Sequence, residues 1–333
     1  MKIMIAGLGS IGRRHLRNLL ALGERDILLY RTQRSTLPDD ELAGIPVETD
    51  LEAALARQPE AVIVSNPTAL HMQVAIPAAR AGGQFSTRCL LLEKPVAESM
   101  QRIPELEAAV SENGVRVLVG FHFRYHPGLQ YIRDLLEAGE IGRPLSVRAH
   151  WGEYLPGWHP WEDYRQGYSA RLDLGGGVVL TLSHPLDYLR WLFGEVAALW
   201  AFTGKNSDLE LQVEDSAEIG LRFASGMLGS LHLDYNQRPA SHWLEAIGSQ
   251  GTLHWDNLSG EVRVFQGKTG DCQVYPPPTG LERNDLFLAE MRHFLQVARG
   301  EAEPICSLAD GIHALQLALA VHDSQQQGKL IYL

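Results

Sequence analysis

Gly7-Leu8-Gly9-Ser10-Ile11-Gly12 has the spacing of a loop that cradles a dinucleotide. Gly7 allows a tight turn, Gly9 lets the backbone approach a pyrophosphate, and Gly12 lets a helix pack close to a strand. The N–H groups of Ser10, Ile11 and Gly12, at the start of that helix, offer a partial positive charge to the phosphates. The spacing alone is weak evidence. Its context supplies the rest, because Lys2–Ala6 reads as a strand and Ile11–Leu22 as a helix. The second strand, Asp26–Tyr30, runs into Arg31-Thr32-Gln33-Arg34, without the acid that usually receives a free ribose 2′-hydroxyl. Guanidinium groups pair with a 2′-phosphate where a carboxylate would repel it. The sequence therefore predicts NADP(H) as the preferred cofactor, with NAD(H) possible, and Arg31 and Arg34 on the phosphate. The same two residues also read as solvated surface arginines.

Two further groups could move a proton. Glu93-Lys94-Pro95 follows the apolar run Cys89–Leu92 and so falls at the C-terminal edge of a parallel sheet, where doubly wound folds bind ligands. An ordinary lysine, with a pKa of about 10.4, needs a depression of roughly three units, or about 4 kcal/mol, to act as a base near neutrality. Burial and a cationic nicotinamide both push that way. The other reading of Lys94 is a surface lysine paired with Glu93. His184-Pro185-Leu186-Asp187 spaces an imidazole and a carboxylate three residues apart, on one helix face. Histidine could take or relay an alcohol proton, with Asp187 orienting it; a core histidine satisfied by a carboxylate is the alternative. No Cys/His constellation calls for a metal.

These groups need a scaffold, and the chain supplies two textures. Up to Gly120, Ile/Val/Leu-rich runs alternate with helical patterns: strands at Ala61–Ser65, Cys89–Leu92 and Val115–Gly120, helices at Leu51–Arg57, Ala69–Ala81 and Ser99–Asn113. Such alternation predicts an α/β Rossmann domain, a doubly wound parallel sheet covered on both faces. Beyond it, a helix near Gly128–Glu137 and a strand at Leu145–Trp151 lead to an aromatic stretch, Tyr154–Tyr168. A helix at His184–Leu192 and six strand-like runs between Val196 and Phe265 follow, then Pro276-Pro277-Pro278 and two terminal helices. This predicts an α+β domain with a large, mostly antiparallel sheet. The expected division is 1–120 for the cofactor and 121–333 for substrate and assembly.

The 333 residues, 45% hydrophobic and 21% charged, describe a globular chain long enough for two cores. A net charge of −11 argues against a nucleic-acid partner. Three scattered cysteines and no membrane-length apolar run predict a reducing, cytoplasmic setting without a membrane. The run Arg13-Arg14-His15 reads as a solvated helix face. Thr68 is placed to cap the helix after Asn66-Pro67.

Five stretches together resemble the Gfo/Idh/MocA oxidoreductases, a family that includes glucose–fructose oxidoreductase and inositol dehydrogenase. They are GLGSIGRRHLRNL (7–19), SNPTALH (65–71), EKP (93–95), GFHFRYHP (120–127) and GGGVVLTLSHPLDYLRWLFG (175–194). The resemblance implies hydride transfer between a nicotinamide and a hydroxyl-bearing or keto carbon of a sugar, cyclitol or nucleotide-linked sugar. It implies Lys94 as the catalytic lysine and places Asn66, Pro67, His71 and Glu93 beside the cofactor. It also implies a homodimer or homotetramer built through the C-terminal sheet.

Arg124 reads equally as a substrate ligand or a packing residue. Tyr154 and Trp158 suit sugar faces, although an aromatic loop packed on its own domain reads as well. One departure stands out. Family members often carry an aspartate shortly before the histidine, where this chain has Val178-Val179-Leu180-Thr181-Leu182-Ser183. Thr181, the nearest counterpart, can bond a substrate but cannot serve as a carboxylate base, which leaves Lys94 and His184 as the proton-handling pair. Reduction of a non-sugar carbonyl or an imine, and a catalytically silent NADP-binding regulator, are the alternative functions.

Overall fold

Short apolar runs become a parallel sheet because both of its faces are covered: every residue of β1 (Ile3–Ala6), β4 (Ala61–Val64) and β5 (Cys89–Leu92) is buried. The computed structural model describes residues 1–32, 40–82 and 87–333. β2 (Ile27–Tyr30), β3 (Val47–Glu48) and β6 (Arg116–Val119) complete six strands in the order β3-β2-β1-β4-β5-β6. That order reverses between β1 and β4, which is the switch point where doubly wound sheets take ligands. The helices are α1 (Ser10–Ala21), α2 (Leu51–Ala56), α3 (His71–Arg80) and α4 (Ile103–Asn113). β3 escaped the sequence reading because two residues carry no periodicity.

The chain resolves into two compact units, and their composition differs from a single cut after Gly120. The first holds 1–122, 173–175 and 283–315; the second holds 123–172, 176–282 and 316–333. The return of residues 283–315 follows from packing. Helix α8 (Arg283–Arg299), which follows three helices of the second unit, sets Leu286, Phe287, Met291, Phe294 and Leu295 inward, against α1, β5 and β6. The residues up to 315 of the last helix, α9 (Leu308–Gln327), also count with the first unit.

The second unit is built on nine strands: β7 (Pro144–Gly152), β8 (Val196–Gly204), β9 (Ser216–Phe223), β10 (Leu228–Asp234), β11 (Ser241–Gly248), β12 (Gly251–Asp256), β13 (Val262–Gln266), β14 (Cys272–Tyr275) and β15 (Ile331–Tyr332). Their order is β14-β13-β12-β11-β7-β10-β9-β8-β15, antiparallel except for the parallel pair β7–β10. Alternating burial along β9, β11 and β12 marks a sheet with one covered face. Helices α5 (Pro127–Glu137) and α7 (His184–Phe193) pack on that face, and the one-turn helix α6 (Val178–Thr181) precedes α7.

Candidate active site

In the first unit, three loops leave the C-terminal ends of adjacent strands β1, β4 and β5. The first is the glycine loop. Gly7 has φ +93°, a left-handed conformation that favours glycine, and packs on the main chain of Ser65 and Asn66. A Cβ on Gly12 would run into the Gly7 carbonyl oxygen, so helix and loop meet there without room for a side chain. The Ser65 hydroxyl donates to the carbonyls of Ala6 and Gly7, at 3.1 and 2.9 Å, and ties the first two loops together. At Gly9, by contrast, a Cβ would meet nothing within 4 Å. Helix α1 has no side-chain cap at Gly9 and no acid in its first turn. The open backbone and bare helix start fit a pyrophosphate.

The second loop carries Asn66, whose Oδ1 is buried without a hydrogen-bond partner among the described residues, and Pro67. Thr68 is buried inside a 3-10 turn, Thr68–Leu70, and makes no cap bond, contrary to the sequence expectation. His71 opens α3 with both ring nitrogens against main-chain carbonyls, Nε2 on Asn66 at 2.9 Å and Nδ1 on Val96 at 3.3 Å. Burial holds its pKa below the ordinary imidazole value despite those carbonyls. The ring therefore joins the Asn66 loop to the lysine turn.

The third loop is Glu93-Lys94-Pro95. The Glu93 carboxylate accepts from the Lys94 main-chain N–H at 3.2 Å and lies 2.7 Å from Nε2 of fully buried His15. Gly120 leaves it space, since a Cβ there would sit 3.0 Å from Oε2. Burial pushes the Glu93 carboxyl up, but the His15 bond and the attraction of His15 and Lys94 outweigh it and hold it below the usual range. Lys94 itself is half-buried.

His15 corrects the expectation of a solvated basic run. Its neighbour Arg13 is 3% exposed, with Nε donating to the Leu8 carbonyl at 2.9 Å and Nη1 to Glu41 at 2.9 Å. Arg14 lies over the ring of Phe287, 4.4 Å from its centroid. Helix α8, which supplies Phe287, covers that face of α1. Arg31 directly follows β2, half-buried, with its N–H on the Glu48 carbonyl. Arg34 lies outside the described residues.

In the second unit, His184 opens α7 and is 2% exposed. Phe123 meets it edge-on at 5.0 Å, and the Trp151 ring lies tilted to it at 5.7 Å. Asp187, one turn along, receives two bonds from Arg124, Nη2 at 2.7 Å and Nε at 3.0 Å, with the side chains 3% and 1% exposed. Of the two roles open for Arg124, packing is the one the geometry favours. Thr181 ends α6, whose start is held by Glu214 accepting from the Val179 N–H at 3.2 Å. The Tyr235 hydroxyl donates to the Ser169 carbonyl at 3.3 Å, and Trp158 meets the Tyr235 ring edge-on at 5.6 Å. Trp158 Nε1 is buried and has no partner among the described residues. Tyr154 lies under Arg238, 4.2 Å from its ring centroid. Tyr235, Trp151 and Glu214 were invisible in the sequence, because ordinary strand and loop positions bring them here.

Residues 1–121 match the family described as "Oxidoreductase family, NAD-binding Rossmann fold", and residues 129–254 match the "GFO/IDH/MocA C-terminal domain". The chain belongs to the Gfo/Idh/MocA oxidoreductase family. Among curated relatives of this Gfo/Idh/MocA member, the 1,5-anhydro-D-fructose reductase of Ensifer adhaerens is 27% identical, over 81% of this chain and 78% of its own. The myo-inositol 2-dehydrogenase of Thermotoga maritima is also 27% identical, over 100% and 98%. A levoglucosan dehydrogenase solved with NADH and levoglucosan superposes with a TM-score of 0.85 at 20% identity, over 100% of this chain and 99% of that one, a likeness of fold.

The glycine loop offers a direct check. Gly12→Ala is expected to lower stability by about 1–3 kcal/mol through overpacking against Gly7. Gly9→Ala should leave the melting temperature unchanged yet weaken NADH binding at least ~10-fold, because its methyl group enters the phosphate cradle. Equal NADH affinity of Gly9→Ala and wild type, by fluorescence titration, would show that the phosphates lie elsewhere.

Proposed function

We propose that this protein moves a hydride between C4 of a nicotinamide cofactor and a hydroxyl-bearing or keto carbon of a sugar or cyclitol. One observation carries the reading: Lys94 leaves β5 on the same sheet edge as the uncapped glycine loop and the Asn66 loop. The bound cofactor supplies the hydride carrier. Glycine-loop N–H groups hold its phosphates, Asn66 and Pro67 flank its ribose and nicotinamide, and Glu93 and His71 fix the turn from which Lys94 reaches the reacting hydroxyl. Lys94 and His184 handle the hydroxyl proton. Asp187, locked by Arg124, positions the helix that carries His184. Thr181, Tyr154 and Trp158 contact the sugar; the unpartnered Trp158 Nε1 supports this assignment. The likeness to an anhydrofructose reductase and an inositol dehydrogenase supports a polyol or sugar-derived substrate.

The test is turnover with NAD(P)H or NAD(P)+ on a panel holding myo-inositol, 1,5-anhydro-D-fructose and levoglucosan, beside imines and non-sugar ketones. Activity confined to the second group overturns the sugar reading. Nucleotide binding without any turnover would favour the silent regulator, for which Thr181 at the usual acid position speaks.

NADP(H) is the preferred cofactor in this reading. β2 ends at Tyr30 with Arg31 directly after it, and two of the acids that follow, Glu41 and Glu48, are already paired with Arg13, Arg17 and Arg57. Arg31→Ala is expected to weaken NADPH about tenfold and NADH less than twofold, as the loss of a charge-assisted bond of about 1.4 kcal/mol requires. Tighter NADH than NADPH binding by the wild type would overturn the preference. Assembly runs through the open face of the large sheet, where Trp200, Phe202, Leu228 and Phe265 are exposed.

A further inference from the structure

Glu290 stands on α8 with no exposed surface, between Phe287, Met291 and Phe294 of the apolar face. Neither of its carboxyl oxygens has a hydrogen-bond partner among the described residues. Donor atoms of Glu290, Glu93 and His15 all lie within 4.8 Å of one another. Three different elements of the first unit, α8, the end of β5 and α1, thus bring two carboxyls and an imidazole into one buried spot next to the Lys94 turn.

Two carboxylates so close cannot both ionise without severe repulsion, and their surroundings separate them. Glu93 is engaged by His15 and by the Lys94 N–H, which favour its anion. Burial and the Glu93 charge push the Glu290 carboxyl well above the usual carboxylate range. Glu290 therefore keeps a proton where Glu93 does not. A buried, unpartnered carboxyl destabilises a fold, and such costs concentrate where function demands them.

We propose that the Glu93–Glu290 pair is a redox-linked proton site, holding one proton while the bound nicotinamide is reduced and releasing it when the ring is oxidised and cationic. The inference rests on the nicotinamide reading above and needs no particular substrate. The ring gains one positive charge on oxidation, and the pair offsets it by becoming doubly anionic. The released proton goes to solvent, and no bond to carbon changes. Linkage makes the effect reciprocal: rising pH strengthens the oxidised cofactor relative to the reduced one. The charged and titratable groups that interact with Glu93 are Arg14 and His15 on α1, Lys94 beside it and His71 on α3, and Arg283 on α8 faces Arg14.

Calorimetric titration of the whole protein with NAD+ and with NADH, in phosphate and in Tris at several pH values, tests this. NADP+ and NADPH replace them if they bind more tightly. The wild type should release more protons with the oxidised form. The ratio of the two dissociation constants should shift by up to about tenfold per pH unit, favouring the oxidised form as pH rises. In Glu290→Gln the difference in proton release should vanish and the ratio should move less than about twofold. Equal proton release in the wild type overturns the proposal whether or not the variant folds. A difference that persists in Glu290→Gln also overturns it, and assigns the proton to His15, His71 or Lys94. A divalent ion found on the cluster by elemental analysis would overturn it too. Absence of any nucleotide binding removes this proposal along with the cofactor reading, whereas binding without proton linkage removes this one alone.

Discussion

Lys94→Ala is expected to lower kcat at least ~10²-fold on the substrate that the panel identifies, while the dissociation constant for NAD(P)H stays within about twofold. The split follows from how the turn is built. The main chain at Lys94 is held by Glu93, whose carboxylate takes the Lys94 N–H, and Glu93 is held by His15. On the other side, His71 bridges Asn66 to Val96. Truncating the lysine side chain leaves these bonds in place, so the loops that would carry the cofactor keep their geometry. Lys94→Arg is expected to fail as badly as alanine, because a guanidinium does not give up its proton. A variant of either kind within threefold of wild-type kcat would remove Lys94 from the chemistry.

Arg124→Ala is expected to cost about 3–5 kcal/mol of stability, measured by urea denaturation. The guanidinium makes two bonds to Asp187 inside the second unit, both side chains are almost fully buried, and the Trp191 ring lies 5.7 Å below. Removing the cation strands a buried carboxylate, which is the expensive half of such a pair. Replacing both partners, Arg124→Met with Asp187→Leu, should recover most of the loss, since a well-packed apolar pair forgoes the desolvation of two charges. Activity should not return with stability in the double variant if Asp187 also sets the helix turn that presents His184. A loss under 1 kcal/mol for Arg124→Ala would mean that Asp187 finds another partner.

The parts legible in the sequence are those written in local pattern. Gly7, Gly9 and Gly12 announce a strand–loop–helix by steric need, and the runs Ile3–Ala6, Ala61–Val64 and Cys89–Leu92 announce buried parallel strands by having no polar face. Position at the end of β5 singles out Lys94 for the same reason. What stays hidden depends on contacts distant along the chain. Arg14 and His15 look like a wet helix face until α8, nearly 270 residues later, is seen to cover α1, and Arg13 until Leu8 and Glu41 take its guanidinium. Glu290 looks like an exposed charge on an amphipathic helix, yet it is fully buried beside Glu93. Asp187 and Arg124 each carry a plausible separate role, and only their bidentate pairing assigns them to each other. Thr68 fits a cap by residue type, but the preceding Pro67 and a 3-10 turn place it inside instead.

The late return of residues 283–315 bears on how the protein is made. When translation has delivered the six parallel strands, the flank of α1 bearing Arg14 and His15, and the surfaces of β5 and β6, still await a helix that the ribosome has not begun to synthesise. At about 5–20 residues per second, the missing stretch takes on the order of ten to forty seconds to appear. During that interval the nascent chain presents an uncovered greasy strip to chaperones, and a fragment ending at residue 122 would present it permanently.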